Sequence, residues 1–330
     1  MRKPVSHRNR LEACLSGDSS FGVPVALWRH FPVDDQKPDT LAAAHLDFQR
    51  VYDFDLIKVT PASSYFAKGW GVQDEWRGLV EGTRDYTRRI IHHEQDWGKL
   101  PVLDPWQGTL GESLEALRIV TRELGPEVPV IQTVFSPLSQ AKNLIGREEL
   151  IIHLRKYPDA VHAGLKIISE STLRYLEASR KTGIAGIFYA VQHAQYGLLS
   201  ESEYLEFGRA YDLQVLEPAR DYWLNMLHLH GEQVMFDNFV DYPVAIINWH
   251  DQDTPPSLAE GKRRFPGLVC GGLRRERSMV LGTPEEVIKE AHQAILDNGA
   301  ERLLLGTGCV VPTIAPRANI LAARQSVDLF

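Results

Sequence analysis

Residues 225–231 read Asn-Met-Leu-His-Leu-His-Gly, residues 244–250 read Val-Ala-Ile-Ile-Asn-Trp-His, and residues 268–271 read Leu-Val-Cys-Gly. Each is a short apolar run that stops abruptly at polar residues or glycine. A strand covered on both faces has no polar side to show, so it reads as a continuous apolar run, the signature of a parallel sheet wrapped by helices. Outward from these, the pattern recurs at residues 23–27, 56–59, 128–133, 186–189 and 303–305, making eight runs in all.

Amphipathic segments fill the gaps. Helices are predicted over 40–51 after Pro38-Asp39 and over 111–124 before Gly125-Pro126. Residues 147–182 suffice for two helices broken at Tyr157-Pro158. Ser200 with Glu203 forms a capping-box pattern for 201–220, and Thr283-Pro284 caps a helix over 284–297 that stops at Asn298-Gly299. Eight alternating strand and helix units, joined by right-handed crossovers, close into a (β/α)8 TIM barrel. Residues 60–110, rich in tryptophan and glycine, break the repeat and are expected as an irregular insertion over the barrel mouth. With no linker or low-complexity tract, residues 1–330 read as a single domain.

Bulk properties narrow the function classes. There are 36 Lys and Arg against 43 Asp and Glu, a net charge of −7, which argues against a nucleic-acid binder. Three scattered cysteines and the lack of an apolar leader after the basic start point to a reducing cytoplasm. No apolar stretch of about 20 residues predicts a membrane span. A monomer or homodimer acting on a small molecule is expected.

Barrel active sites form at the carboxyl ends of the strands. There stand Arg29 and His30, Gln192 and His193, His228 and His230, Trp249 and His250, Arg274, and Cys309. In a strand, residues i and i+2 share a face, so His228 and His230 can both point into the mouth. They are either metal ligands or hydrogen-bonded interior histidines, and Cys309 is either a third ligand or a small buried hydrophobe. Arg29 either pairs with Asp34 or Asp35 or binds a substrate carboxylate, while Gln192 and His193 either cap a strand or contact substrate. His250 reads equally as a fourth ligand, a general acid–base or a loop residue, and Glu232 is another candidate fourth ligand. Arg274 heads a charge run, Arg-Arg-Glu-Arg, that is either solvated or meets an anion at the mouth. The His92-His93-Glu94 cluster reads as an exposed loop. Gly306-Thr-Gly308 lacks the third glycine and the acid of a dinucleotide fingerprint.

Taken in order along the chain, these segments resemble the uroporphyrinogen decarboxylase superfamily. The resemblance is carried by Val25-Ala-Leu-Trp-Arg-His, by Gly186-Ile-Phe-Tyr-Ala with the serine-led helix start after it, by Ile246-Ile-Asn-Trp, by Cys270-Gly-Gly-Leu, and by Leu304-Leu-Gly-Thr-Gly-Cys-Val-Val-Pro. The working residues of the decarboxylases themselves are mostly replaced. Their second arginine falls at Val33, their aspartate near Thr60-Pro61, their tyrosine at Asn143 and their late histidine at Thr307 or Gly308, leaving Arg29. Orthodox uroporphyrinogen decarboxylation is therefore not expected.

The corrinoid-linked thiol methyltransferases of the same superfamily carry His-x-Cys-Gly after the fifth strand and a cysteine after the eighth. Here the text is His228-Leu-His230-Gly231 and Gly308-Cys309, with the middle ligand changed from cysteine to histidine. The resemblance implies Zn²⁺ on His228, His230 and Cys309, with a substrate thiol held as thiolate at an open position and a corrinoid, or a corrinoid protein, as methyl donor. Arg29, Gln192 and Arg274 would bind substrate, and His193 and His250 would serve as acid–base groups. The extra imidazole makes the site more positive and leaves room for lyase chemistry. A metal-free lyase on a carboxylated substrate is the second reading, and a non-catalytic barrel that binds a ligand or corrinoid protein is the third.

Overall fold

The computed structural model describes residues 5–330. Seven strands form one parallel sheet in the order β1 (Ile57–Val59), β4 (Val130–Phe135), β5 (Gly186–Val191), β6 (Met226–Leu229), β7 (Ile246–Trp249), β8 (Leu268–Leu273) and β9 (Leu303–Thr307). The stave predicted at 23–27 is no regular strand, since Val25 makes only a parallel bridge to Leu305. It still closes the ring: Ala26 N donates to Leu305 O at 3.0 Å on one side, and Asp55 N donates to Val25 O at 3.0 Å on the other. All eight predicted runs are thus staves of one (β/α)8 barrel.

Every residue of β1 and of β4 to β9 is buried, which is why those runs lack polar alternation. The expected helices form at Pro38–Tyr52, Gly108–Leu124 and Pro284–Asn298, and the break at Pro158 separates Arg147–Lys156 from Pro158–Arg180. Ser200 and Glu203 do form a capping box, but the helix behind it passes through a π turn at Leu205–Arg209 and stops at Leu216, two residues before Pro218. Further helices at Pro137–Ile145, Leu258–Arg264 and Arg317–Ser326 were not among those expected.

The insertion carries a two-stranded antiparallel ladder, β2 (Gln73–Glu75) with β3 (Asp85–Arg88), and lies over the mouth. Its connecting loop is held at three places. Thr313 N donates to Val80 O at 2.7 Å, Glu81 pairs with Arg275, and Gly82 packs so tightly on His30 that a Cβ would sit 2.5 Å from the His30 Cβ. Gly82 also has φ of 79°, so both space and backbone call for glycine there. Among the described residues, no helix is long and apolar enough to cross a membrane.

Candidate metal centre

Alternation along each strand decides what enters the mouth. Trp28 and His30, Phe188 with Ala190 and Gln192, and His228 and His230 are i, i+2 sets, and all line one cavity. Lys58 forms part of its wall and Cys309 closes it. His228 and Asn248 are register partners across β6 and β7, and Asn248 pairs in turn with Cys270 on β8. Side chains in register point the same way, so the polar groups of three strands meet inside the barrel.

His228, His230, His250 and Cys309 each offer a ligand atom, and these atoms all lie within 4.8 Å of one another. Cys309 Sγ is 3.7 Å from His228 Nε2 and 3.7 Å from His230 Nδ1. A tetrahedral ion with metal–sulfur and metal–nitrogen bonds of about 2.3 and 2.0–2.1 Å would set its sulfur and nitrogen about 3.6 Å apart. The donor separations therefore suit one such ion.

The tautomer of His228 follows from its neighbours. Asn248 Nδ2 donates to Cys270 O at 2.9 Å and to Thr307 O at 3.0 Å, and carbonyls only accept. The amide orientation is thereby fixed, so Asn248 Oδ1 must accept from His228 Nδ1–H at 2.7 Å. With its proton on Nδ1, the ring turns the Nε2 lone pair toward Cys309. This is the support that metal-binding imidazoles require.

Electrostatics within the cluster agree. Burial alone would raise the Cys309 thiol, but the surrounding His228, His230 and His250 imidazoles hold it well below the ordinary thiol range. Burial lowers His228 and favours the neutral ring that a ligand needs. Burial opposes protonation of His250 too, but Cys309, Asp253 and Asp251 more than offset it, so His250 is raised.

Glycines bring the loops together. A Cβ on Gly308 would lie 2.7 Å from His250 Cα and 2.7 Å from Trp249 O, so only glycine lets the loop after β9 approach the end of β7 and deliver Cys309 to His250. Gly231, at φ 99°, turns the chain directly after His230 and packs against Gln195.

A family model described as uroporphyrinogen decarboxylase matches residues 10–329, nearly the whole chain. The chain belongs to the uroporphyrinogen decarboxylase family. As a member of this enzyme family it is similar to the methylcobamide:CoM methyltransferase MtbA of Methanosarcina acetivorans, 24% identical over 304 residues, with 89% of this chain and 85% of the relative covered. It is also similar to a uroporphyrinogen decarboxylase of Pseudoalteromonas translucida, 26% identical over 224 residues, covering 64% of this chain and 61% of that one. Among solved structures, a methyltransferase from Methanosarcina mazei superimposes with a TM-score of 0.86 at 18% identity, covering 98% of this chain and 99% of that one, which establishes the shared barrel.

The cations at the mouth are not arranged as the sequence suggests. Arg29 follows Trp28 and precedes His30, so alternation turns it out of the cavity. Its guanidinium lies 5.4 Å over the Phe31 ring and its Nε donates to His30 O at 3.4 Å. Neither Asp34 nor Asp35 pairs with it; Asp35 faces Arg84 instead. Arg274 is also outside, paired at 2.7 Å with Glu290 in a crevice between outer helices. Neither arginine lines the cavity that holds the His–Cys cluster.

The cation that does line the metal cavity is Lys58, 5% exposed, whose Nζ sits 4.3 Å over the Phe188 ring. No carboxylate pairs with it among the described residues, and burial pushes its amine down to about 7. Sequence reading passed over both Lys58 and Asn248. The available signal was a polar residue interrupting an otherwise apolar buried run. His193 does not join the cluster; it lies with Gln192 in an adjoining lobe that shares His230. Glu232 is exposed and absent from the four-donor group.

Proposed function

We propose that this protein is a zinc-dependent methyltransferase that passes a methyl group from a methylated corrinoid, carried on a corrinoid protein, to a small thiol. The observation that carries the proposal is the convergence of His228 Nε2, His230 Nδ1 and Cys309 Sγ, with His228 pinned by Asn248. These three side chains would hold the ion and leave its fourth position to the substrate, with His250 close by in the same 4.8 Å group. When bound, zinc lowers the pKa of a thiol at an exchangeable position, so that the nucleophilic thiolate is present at neutral pH. The similarity to a methylcobamide:CoM methyltransferase over most of both chains supports the donor and the acceptor class.

The chain's own groups would supply the rest. Trp28 and Phe188, packed edge to face at 5.4 Å, form an apolar wall that excludes water from the attacking sulfur. Lys58 adds positive charge beside that sulfur without a competing carboxylate. His250 is the group placed to take the thiol proton as the substrate arrives, being a raised, partly exposed imidazole within reach of Cys309.

The test is elemental analysis of protein prepared without chelator, combined with a methyl-transfer assay from methylcobalamin to short thiols. About one zinc per chain, lost in His228→Ala and Cys309→Ala while the fold is kept, is the expected result. Thiol methylation that continues undiminished in metal-free protein would overturn the proposal.

A further inference from the structure

On the outer wall of the barrel a crevice runs between helix Leu258–Arg264 and helix Pro284–Asn298, with Gly272 of β8 in its floor. None of the His–Cys cluster residues lines it. Trp249 packs outward on Gly261, His250 turns inward to the cluster, and Asp251 again lies outward, in the crevice. The Asp251 carboxylate fills the space that a side chain at residue 271 would take, since a Cβ on Gly271 would sit 2.4 Å from its Oδ1. Its Oδ2 accepts from Gly272 N at 3.0 Å and from Gln252 Nε2 at 2.7 Å. Its Oδ1 has no partner, although Asp251 is only 7% exposed, and among the described residues no cation lies within ion-pairing distance.

A second acceptor is bare in the same crevice. Asn298 Nδ2 donates to Ala294 O at 2.7 Å, which fixes the amide, and leaves Asn298 Oδ1 buried without a donor. A Cβ on Gly272 would lie 2.8 Å from Ala294 Cβ, so Ala294 stands level with the floor beside Asp251. Asn298 is one helical turn further on, about 6 Å along the crevice. Buried polar atoms are nearly always satisfied, so two bare acceptors at one site call for a ligand that donates twice.

Charge points the same way. Asp251, Glu286, Glu290 and Asp297 line the crevice against Arg274 and Lys289, and Arg274 is already paired with Glu290 at 2.7 Å. A metal ion does not match, because among the described residues the donor atoms that converge closely enough are those of the His–Cys cluster. Leu258, Ala259 and Ala294 give the crevice an apolar side.

We propose that this crevice binds a small aliphatic diamine, with one ammonium on Asp251 Oδ1, the other on Asn298 Oδ1, and the methylenes along Leu258, Ala259 and Ala294. An ammonium only donates and both bare atoms only accept, so the match is one of kind as well as of charge. The site shares no residue with the metal cluster, so its occupant is not the molecule that is methylated, and the inference stands apart from the methyltransferase reading.

The experiment is calorimetric titration of the full-length protein, zinc-loaded and metal-free, with putrescine and with butylamine at constant ionic strength. One saturable putrescine per chain is expected in both forms, at least tenfold tighter than butylamine. Asp251→Asn, which keeps the shape and removes the charge, should weaken putrescine at least tenfold, and Asn298→Ala should bring it down to the level of butylamine. Ala259→Leu, which fills the crevice and removes none of these polar groups, should abolish binding in protein that circular dichroism shows folded. Glu285→Gln, the same loss of charge on an exposed residue of the second helix outside the crevice, should bind as wild type does. No saturable putrescine binding, or binding equal to wild type in both Asp251→Asn and Ala259→Leu, overturns the proposal.

Discussion

Replacing Asn248 with alanine tests whether the metal centre is built from its second layer outward. The side chain makes three buried hydrogen bonds, to His228 Nδ1 at 2.7 Å, to Cys270 O at 2.9 Å and to Thr307 O at 3.0 Å. At a net contribution of about 1 kcal/mol each, their loss predicts a stability decrease of about 3 kcal/mol, measurable as a lower urea midpoint. The effect on metal is separate. Without the Oδ1 acceptor, His228 is free to place its proton on Nε2, the atom that faces Cys309, and a protonated Nε2 cannot ligate. Loss of such a supporting contact typically costs about 10- to 100-fold in metal affinity, or roughly 1.4–2.7 kcal/mol. Zinc affinity is read by competition with a chromophoric chelator, under conditions where circular dichroism shows the variant folded. A variant that is destabilised yet binds zinc within about twofold of wild type would refute the argument, leaving Asn248 a purely structural link between β7, β8 and β9.

Two further outcomes follow from neighbouring residues. Gly308→Ala should place its methyl about 2.7 Å from the His250 backbone, forcing the loop after β9 outward; zinc stoichiometry should fall sharply with only modest loss of stability, as read by elemental analysis and thermal unfolding. Lys58→Met should stabilise the metal-free protein most at or below neutral pH. Burial lowers the Lys58 amine from 10.5 to about 7, which corresponds to a penalty on the order of 5 kcal/mol that is full below pH 7. The folded state sheds this proton near pH 7 while the unfolded chain keeps it to about 10.5, so the penalty fades as pH rises across that window. The advantage of Lys58→Met in urea unfolding should therefore shrink from pH 7 to pH 10; a pH-independent difference would contradict an uncompensated buried amine.

The alternation of eight buried runs with amphipathic segments was legible in the sequence, because burial on both faces leaves a one-dimensional trace that needs no knowledge of pairing. So was the juxtaposition of His228 with His230, since i and i+2 share a face whatever the register. What the linear text could not give was the sense of each alternation. Trp28, Arg29 and His30 stand together at a strand end, and only the position of that stave between β9 and residue 55 sends Trp28 and His30 inward and Arg29 out. The same holds for Lys58, which reads as an exception within an apolar run until the closed ring places it beneath the cluster.

Sequence by itself determined the barrel, its helices at their proline and capping signals, and the identity of the sulfur and imidazoles at the strand ends. Tertiary structure alone decided which of those groups meet. It brought Cys309 to His228 across 81 positions of chain, selected Asn248 as the hydrogen-bond acceptor, and turned two candidate arginines away. The physical reason is that strand periodicity is local, whereas inward or outward orientation is set by register with neighbours that lie far off along the chain.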